Sequence, residues 1–576
     1  MPNHDELLEI LLKNRGIEKK DWETFLNPSF EDHLNDPFLL KGMETAVLRF
    51  FEAVSSNEKI VIYSDYDADG IPAAVIISDF LKKINYENFS VYIPHRHDEG
   101  YGLHKDAIEE FIKDRVNLLV TLDLGITAKE EIAQAKIGEI DTIVIDHHLP
   151  QESLPSAYAI IDPKIELDEK LNRNTDKIPT QPTDKKSSAM LCGAGLAFKF
   201  VQALISRYSE YWSIKDGWEK WLLDMAGVAT IADQVPLLDE NRTLAYYGLK
   251  VLRKTKRKGV HELFFKSGVS LSQLTEEDVS FTLAPRINVA SRMANPMLAF
   301  ELLSTTDSVK AKTLADLLDK INNDRKYAVA QIMKEVKSVL VKRLENEDYV
   351  NQPFIVIGNP KWHVGVLGLI ASKITEEYKK TVFVWGGEEG VIRGSCRSCG
   401  EINLVETMSK LPLGVLTEFG GHKSAGGFSA TREEIVFLEE KLKAVFDNSI
   451  ATSLEDENLI DASILIDDVN EDNYKVVEKM APFGMGNPKP VFLIDNLEIH
   501  EVKEFGKEKN HLELTFKNSR GRSIKAISFF KTRYDYSGVE LVTGNKICLI
   551  ANLEKNNFAG REELRMRIVN IKQASK

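Results

Sequence analysis

The chain has 576 residues, of which 43% are apolar and 28% are charged, which suits a globular protein of roughly three to four domains. The formal net charge of -14 argues against a protein that coats duplex DNA, because neutralising phosphates requires Lys and Arg. It does not exclude an enzyme with a local basic groove. No apolar stretch approaches the ~20 residues needed to span a bilayer, and the N-terminus contains acids and lacks signal-peptide order, so we expect a cytoplasmic protein.

The four cysteines are too few for a disulfide scaffold in a chain of this length. Cys396 and Cys399 form a single CxxC pair with no second pair to complete a zinc site. We interpret these thiols as structural or incidental.

The first part of the chain predicts short helices from Leu7 to about Val54, followed by strands that alternate with helices. This alternation indicates a parallel, doubly wound sheet. A polar surface loop is expected at Glu166–Ser188, and helices dominate from there to about Leu303. The predicted strands are Lys59–Ser64, Phe89–Ile93, Leu118–Leu122 and Thr142–Ile145, and the helices between them include Ile71–Lys83 and His104–Lys113.

Apolar residues recur with helical spacing between Asp307 and Glu347, which predicts one long amphipathic helix. At the usual rise per residue this helix would be roughly 60 Å long, enough to bridge two domains. A coiled coil is the weaker alternative, because Asn322, Asn323 and Asp324 interrupt the apolar seam.

Two further domains are expected after the long helix. The strands Phe354–Gly358, Thr381–Trp385 and Gly390–Arg393, with a helix at Val366–Tyr378, predict a second α/β domain to about Asn448. Short strands with Gly and Asn turns after Leu459 suit a small β-barrel such as an OB-fold. Its predicted elements are Val491–Leu493, Glu513–Phe516, Ser523–Ser528, Ile547–Leu553, Leu564–Ile571 and the helix Tyr474–Met480. The expected domains are therefore 1–306, the connecting helix 307–347, 348–450 and 455–576.

Three predicted strands of the first domain end in acidic segments. The first leads into Asp65-Tyr66-Asp67-Ala68-Asp69-Gly70, the second into Asp123, and the third into Asp146-His147-His148. The carboxyl ends of parallel strands lie on one edge of the sheet, so these side chains should converge there. Clustered carboxylates repel each other unless cations compensate them, and carboxylates with imidazoles suit Mn²⁺ or Mg²⁺.

Two such ions about 3.5–4 Å apart would clamp a phosphodiester and lower the pKa of a bridging water. The start of the helix near Ile71 would also offer its N-terminus to a phosphate. The alternative is that strand-end Asp residues merely cap the helices that follow them. That alternative would suffice for one Asp, but it explains the whole set poorly.

The segments Asp65–Gly70 and Asp146–His148 resemble the DHH phosphoesterase superfamily, and within it the RecJ-type exonucleases. Further segments look like motifs of that family in the same order, so the resemblance covers nearly the whole chain. They are residues 96–103, 284–293, 362–368, 420–427 and 482–492. Ser291 and Cys396 depart from the family pattern, and neither is a proposed ligand.

The resemblance implies roles for individual residues. Asp67, Asp69, Asp123, His147 and Asp233 would bind two divalent ions, while Asp65 and His148 would support the site or contact substrate. The assignment of Asp233 rests on the match of residues 232–237 alone, because its sequence context otherwise suggests a helix-end cap. The resemblance makes the second α/β domain the clamp for a DNA end, with glycines that let backbone N–H groups approach phosphate. The candidate substrate-binding residues are Arg96, Arg286, Asn288, His363, Ser395, Arg397 and His422.

The predicted barrel carries a basic stretch with interleaved aromatic residues, a combination typical of single-strand binding. The alternative is that the aromatic residues belong to the barrel core. The basic residues are Lys517, Arg520, Arg522, Lys525, Lys531 and Arg533, and the aromatic ones are Phe516, Phe529, Phe530, Tyr534 and Tyr536.

Three functional hypotheses follow. The first is an exonuclease that degrades single-stranded DNA 5′ to 3′ to mononucleotides with a metal-activated hydroxide, the polarity coming from the resemblance only. The second is a DHH-family phosphodiesterase acting on short oligoribonucleotides or cyclic dinucleotides. The third is a non-catalytic DNA-replication scaffold on the same fold. By resemblance, a single-strand-binding protein and a RecQ-type helicase are expected partners of a monomer without membrane association.

Overall fold

The computed structural model of the chain describes residues 4–165, 190–387, 391–446, 460–536, 538–558 and 561–574. The loop expected at Glu166–Ser188 lies outside these residues. Within the described ranges, no helix is both long enough and apolar enough to cross a membrane.

The first α/β domain is built on a five-stranded parallel sheet in the order β2-β1-β3-β4-β5, which confirms the predicted doubly wound sheet. The strands are β1 (Ile60–Ser64), β2 (Phe89–Tyr92), β3 (Leu118–Leu122), β4 (Asp141–Ile145) and β5 (Ala159–Ile161). β1 and β3 are buried along their whole length, because helices cover both faces of the sheet. The short strand β5 has no counterpart in the sequence prediction.

The helices before and within this domain begin with three short N-terminal ones and end just before the connecting helix. They are α1 (His4–Asn14), α2 (Trp22–Leu26), α3 (Met43–Ser55), α4 (Gly70–Lys83), α5 (Lys105–Lys113), α6 (Lys129–Ile137), α7 (Gly193–Tyr208), α8 (Leu223–Ala232), α9 (Asp239–Leu252), α10 (Lys258–Ser267), α11 (Glu276–Asp278), α12 (Ala284–Met293) and α13 (Met297–Ser304). A π-helical turn, Val279–Leu283, precedes α12, and 3₁₀ turns lie at Lys19–Asp21, Pro37–Leu39, Trp218–Leu222 and Leu271–Gln273.

The connecting helix α14 (Ser308–Arg343) begins after Asp307, whose side chain accepts hydrogen bonds from the first backbone N–H groups. Its first half contributes Leu314, Ala315 and Leu318 to the core of the first domain. Its second half contributes Val329, Ile332, Val336 and Leu340 to the core of the second. The helix therefore belongs to both domains.

The second α/β domain has a mixed five-stranded sheet in the order β6-β7-β8-β10-β9, in which only β6 and β7 are parallel. Its strands are β6 (Phe354–Gly358), β7 (Thr381–Gly386), β8 (Val391–Arg397), β9 (Glu418–Gly421) and β10 (Ala425–Thr431). Its helices are α15 (Glu347–Asn351), α16 (Leu367–Tyr378), α17 (Leu404–Ser409), α18 (Arg432–Ile435) and α19 (Leu438–Val445), with a 3₁₀ turn at Val364–Val366.

The C-terminal barrel has seven strands in the order β11-β12-β16-β17-β15-β14-β13. They are β11 (Ala462–Ser463), β12 (Phe492–Glu498), β13 (Glu501–Phe505), β14 (His511–Lys517), β15 (Ser523–Ser528), β16 (Lys546–Phe558) and β17 (Arg561–Gln573), and α20 (Glu471–Glu478) packs beside them. 3₁₀ turns lie at Ile466–Asp468 and Arg533–Asp535.

The first helix of the chain packs on this last domain. Leu7, Leu11 and Leu12 of α1 lie in the barrel core, together with Phe25. The sequence prediction placed this segment with the first domain, because periodicity shows that a helix has an apolar face but not which core covers it.

A buried arginine, Arg242 of α9, joins the barrel to the first domain. Its side chain is 2% exposed, and its guanidinium lies 3.7 Å from the centre of the Phe25 ring. The guanidinium donates hydrogen bonds to four backbone carbonyl groups, those of Phe25 (2.6 Å), Met480 (3.0 Å), Ala481 (2.9 Å) and Pro482 (3.3 Å). We call this contact the arginine junction. It gives a structural role to the start of the 482–492 motif.

Candidate active site

Acidic side chains from distant parts of the chain meet at the carboxyl edge of the first sheet. Asp67 and Asp69 lie in the turn between β1 and α4, Asp123 follows β3, and His147 follows β4. Asp233 ends helix α8. We call this set, with Asp65, the acidic rim. The backbone of Asp123 has a φ of 62°, a conformation that non-glycine residues adopt rarely and that often occurs at functional sites.

The ligand atoms of the rim lie within coordination reach of common points. His147 Nε2 is 3.1 Å from Asp123 Oδ1, 3.6 Å from Asp69 Oδ2 and 3.9 Å from Asp233 Oδ2. Three overlapping groups each offer ligand atoms that lie within 4.8 Å of one another. The groups are Asp69 with His147 and Asp233, Asp65 with Asp67 and Asp123, and Asp123 with His147 and His148.

Backbone N–H groups orient the carboxylates of the central turn. Asp67 Oδ1 accepts from the N–H groups of Asp69 (2.7 Å) and Gly70 (3.1 Å), so it does cap α4, but with a single oxygen. Asp69 accepts from Gly193 (2.6 Å) and Ala194 (2.7 Å) at the N-terminus of α7, which favours its charged form. Gly193 is required there, because a Cβ atom would lie 2.7 Å from Asp123 Cβ. The same turn therefore contains a helix cap and candidate metal ligands.

The electrostatics of the rim favour a cation. Burial and the neighbouring Asp67 raise the pKa of Asp69 to about 6, and burial and Asp69 raise that of Asp233 to about 8. Among the described residues, Asp65 Oδ1 and Asp123 Oδ1 are buried without a hydrogen-bond partner. Burial lowers the pKa of His147 to about 3, so its imidazole is neutral, the form that binds metals. These donors fit two divalent ions.

Asp146 supports the rim rather than joining it. Its Oδ1 accepts from His148 Nδ1 (2.8 Å) and from the backbone of His147 (2.7 Å), and its Oδ2 accepts from the N–H of Ile126 (2.9 Å). Burial alone would raise the pKa of Asp146, but the bond from His148 and its charge lower it to about 2. Burial opposes the charge on His148, yet the bond to Asp146 and its charge raise the pKa of His148 to about 9, which favours the imidazolium form.

Beside the rim lies a group of arginines that we call the anion pocket, formed by Arg96, Arg292, Ser395 and Arg397. Arg397 Nη1 is 3.3 Å from Ser395 Oγ, and the Arg96 guanidinium lies 5.1 Å from the centre of the Tyr66 ring. Burial and the nearby Arg96, Arg325 and Arg397 lower the pKa of Arg292 to about 10. Within the described part of the chain, none of these guanidinium groups pairs with a carboxylate. Such a pocket suits a phosphate.

Two other substrate-binding candidates approach the same cleft from the second domain. The His422 ring stacks on the His148 ring, with centroids 6.2 Å apart and planes 10° from parallel. His363 lies at the contact between the domains, where its Nδ1 accepts from the N–H of Gly365 at 3.1 Å.

The remaining candidates have partners within the protein. Arg286 forms an ion pair with Asp319 of α14 at 2.7 Å and donates to the carbonyl of Thr282, so its position favours a structural role. Asn288 Oδ1 accepts from the N–H of Ala68 at 2.8 Å, which holds the turn that carries Asp67 and Asp69.

Sequence reasoning placed Arg292, Asp146 and Tyr101 within its motifs but gave none of them a role of its own. The Tyr101 hydroxyl lies 3.3 Å from His148 Nδ1. A signal for Arg292 existed. Arg286 and Arg292 are six residues apart on one helix, about 240° around its axis, so they had to face different surroundings.

The fold and the acidic rim define a metal-dependent phosphoesterase. Three family models match the chain in succession: the DHH family N-terminal domain over residues 59–230, the DHHA1 domain over 337–451 and the RecJ OB domain over 460–570. The single-stranded-DNA-specific exonuclease RecJ of Bacillus subtilis is 32% identical over 98% of this chain and 67% of its own length. The RecJ exonuclease of Haemophilus influenzae is 30% identical over 98% of this chain and 96% of its own. The chain therefore belongs to the RecJ family.

Solved structures agree with this assignment. The crystal structure of RecJ from Thermus thermophilus in complex with Mn²⁺ matches the fold over 99% of this chain and 76% of its own, with a TM-score of 0.75 at 24% identity. An exonuclease RecJ bound to manganese matches 72% of this chain and 97% of its own, with a TM-score of 0.59 at 28% identity. The expected Mn²⁺ or Mg²⁺ cofactor is consistent with the donors of the acidic rim.

Proposed function

We propose that this protein is an exonuclease that degrades single-stranded DNA from the 5′ end to mononucleotides, with two Mn²⁺ or Mg²⁺ ions as cofactors. The observation that carries the proposal is the position of the anion pocket beside the acidic rim. A pocket that binds a terminal phosphate places the next phosphodiester at the rim, so cleavage releases one nucleotide at a time. The names of the relatives support this substrate, since they are single-stranded-DNA-specific exonucleases.

The residues of the rim divide the work. When bound, the two ions polarise the phosphodiester and lower the pKa of an attacking water. The ions would be held by Asp67, Asp69, Asp123, His147 and Asp233, and Asp65 would support the same site. Asp146 holds His148 as an imidazolium at the edge of the rim, where its positive charge stabilises the negative charge that develops on the phosphate.

The barrel offers a surface for the rest of the strand. Phe530 and Tyr534 are 80% and 85% exposed, whereas Phe516 and Tyr536 are buried in the core. Phe529 is covered by Arg567, whose guanidinium lies 4.2 Å from the centre of the ring. Lys517, Arg520, Arg522 and Lys531 are exposed, while Lys525 and Arg533 pair with acids of the barrel. Exposed rings beside cations that form no ion pair with the described residues favour stacking on unpaired bases.

The test uses labelled DNA. Purified protein is incubated with single- and double-stranded oligonucleotides labelled at either end, in Mn²⁺, Mg²⁺ or chelator. We expect metal-dependent release of 5′-labelled mononucleotide from single strands, little digestion of blunt duplex, and no activity in chelator. Release of 3′ label first would contradict the polarity.

The same experiment separates the other hypotheses. Faster turnover of dinucleotides or cyclic dinucleotides than of a long single strand would favour the small-substrate phosphodiesterase. No nucleotide release under any metal would favour the scaffold, although the complete set of ligands argues against it. Recruitment by a single-strand-binding protein or a RecQ-type helicase, the monomeric state and the cytoplasmic location stay predictions from the sequence.

A further inference from the structure

His97 lies between the two α/β domains, next to the anion pocket. It is half-buried in the loop that follows β2, and its neighbour in sequence is Arg96. Its contacts reach both domains, and each contact is made at or near a residue of the pocket.

On the side of the first domain, His97 binds the end of helix α12. Its Nε2 lies 2.8 Å from the carbonyl oxygen of Arg292. That carbonyl is among the last four of the helix, which have no partner within the helix. A carbonyl only accepts, so the ring must carry its proton on Nε2. The bond fixes the backbone of the residue whose guanidinium is most crowded by other cations.

On the side of the second domain, Gly365 packs closely against the same carbonyl group of Arg292. A Cβ atom at Gly365 would lie 2.0 Å from the carbonyl oxygen of Arg292, so only glycine allows the domains to meet there. The His363 ring stands edge-on to the His97 ring, with centroids 5.5 Å apart. Arg393 of β8, two residues before Ser395, donates from Nη1 to the carbonyl of His97 at 3.0 Å.

These contacts place one side chain between the two halves of the pocket. Arg96 and Arg292 come from the first domain, and Ser395 and Arg397 from the second. The four groups can bind one phosphate only if the two domains hold a fixed relation. The three guanidinium groups repel each other when the pocket is empty, so other contacts must keep the domains together.

We propose that His97 is a positioning residue that couples contact between the two α/β domains to the placement of Arg292 in the anion pocket. The inference rests on the proposed function, since it takes the terminal phosphate of single-stranded DNA as the ligand. His97 does not touch the acidic rim, so its removal should weaken recognition of the terminal phosphate more than the chemical step.

The experiment compares full-length wild type with His97→Ala and His97→Gln in Mn²⁺, on one oligonucleotide carrying a 5′-phosphate or a 5′-hydroxyl. For His97→Ala we expect the KM of the phosphorylated strand to rise about tenfold and the preference for phosphate to fall equally, with kcat changed by less than about threefold. His97→Gln should stay close to wild type, because its amide N–H can donate to the same carbonyl.

His261→Ala is the matched control. His261 also bonds a backbone carbonyl through Nε2, that of Thr255 at 2.7 Å, but it lies on α10 and is exposed. Its loss should leave KM and the phosphate preference unchanged. Thermal unfolding of all three variants reports any general loss of stability.

A second measurement separates this inference from the proposed function. Fluorescence anisotropy in chelator measures binding of the two labelled oligonucleotides without cleavage. If the wild type prefers the 5′-phosphate and His97→Ala keeps that preference, or if His97→Gln is as impaired as His97→Ala, the inference is overturned while the nuclease proposal stands. If the wild type binds neither strand and digests neither, both are overturned.

Discussion

The acidic rim and the arginine junction both bury charged groups, but groups of the chain itself satisfy the junction more fully than the rim. Arg242 is 2% exposed and donates to four backbone carbonyl groups. Asp123 is 3% exposed, and burial and neighbouring carboxylates raise its pKa. Its Oδ1 lies 3.1 Å from His147 Nε2, but among the described residues it has no partner with hydrogen-bond geometry. Buried charge that a protein satisfies internally indicates architecture, and buried charge left unmet indicates a ligand.

The same difference separates two arginines of helix α12. Arg286 is paired with Asp319 and bonded to the carbonyl of Thr282, so its charge is compensated without a ligand. Arg292 lies among like charges and has no carboxylate partner within the described residues. Residue type and helix are shared, and only the surroundings distinguish a structural from a binding arginine.

The largest test of the comparison is Asp123→Asn. The amide is isosteric but is a poor ligand, so we expect the Mn²⁺-dependent rate to fall about 10³-fold or more. Mn²⁺ should raise the Tm of the wild type, since it binds only the folded rim, but raise that of the variant much less.

Without metal, Asp123→Asn should be at least as stable as the wild type, because it removes one of several repelling carboxylates. Asp141→Asn is a control at the opposite end of β4, where the side chain pairs with Arg49. If metal-free Asp123→Asn had a lower Tm than the metal-free wild type, repulsion among the carboxylates would not destabilise the rim.

The next effect is expected at the arginine junction. Arg242→Met keeps much of the side-chain volume but removes the donor that four carbonyl groups share. The carbonyls of Met480 and Pro482 keep a bond from Asn487 Nδ2, whereas those of Phe25 and Ala481 lose the bond from the arginine. The free energy of unfolding should therefore fall by about 2–4 kcal/mol. Urea denaturation measures it. The rate of cleavage of short oligonucleotides, which do not reach the barrel, should stay close to that of the wild type under conditions where the variant is folded.

Arg253→Met is the matched control for the junction. Arg253 is exposed and bonds the single carbonyl of Leu274, so its loss should cost less than about 1 kcal/mol. An equal loss of unfolding free energy in the two variants would mean that burial of the junction does not increase its contribution to stability.

A smaller effect is expected from Arg292→Ala. Loss of one charge-assisted phosphate contact should weaken binding of 5′-phosphorylated single strands by about 10- to 100-fold. The slope of log K against log salt should become shallower by about 0.7, the single-strand value for one phosphate contact. Anisotropy titrations at several salt concentrations measure both quantities.

Arg286→Ala is the partner experiment on the same helix. It should lower the free energy of unfolding, because it breaks the contact to α14, while the salt slope and the affinity stay near wild type. If instead Arg286→Ala changed the salt slope and Arg292→Ala did not, the assignment of the two arginines would be reversed.

The smallest effect concerns the barrel surface. Phe530 exposes 80% of its surface to solvent. Like the charge of Arg292, this apolar ring has little within the protein to satisfy it. Phe530→Ala should weaken binding of long single strands by about 1 kcal/mol and leave short ones unaffected. Phe265→Ala, at 83% exposure on the first domain, is the control, and an equal effect from it would remove the case for stacking at Phe530.

The residues of the site that could be predicted from the sequence are those whose position depends on local sequence pattern. Asp65, Asp123 and His147 could be placed together because each follows a strand of a parallel sheet, and all such ends share one edge. Asp233 ends a helix from a distant segment, and no local pattern says which helix end reaches that edge. Only the family resemblance predicted it.

The partners of charged side chains were the hardest to predict. Arg286, Arg292 and Arg242 look alike in sequence, because what distinguishes them is the acid, carbonyl or empty pocket that tertiary packing brings to each. The apolar face of α1 was visible, but its destination in the barrel core was not.

That destination bears on how the molecule is made. The ribosome synthesises α1 before the barrel, and the core residues of the barrel that pack with Leu7, Leu11 and Leu12 are translated more than four hundred residues later. At ~5–20 residues per second the helix waits roughly 20–90 s with its leucines uncovered. A shortened gene that ends before β11 would leave that face bare for the lifetime of the product, so a truncated protein should omit α1 as well to remain free of aggregation.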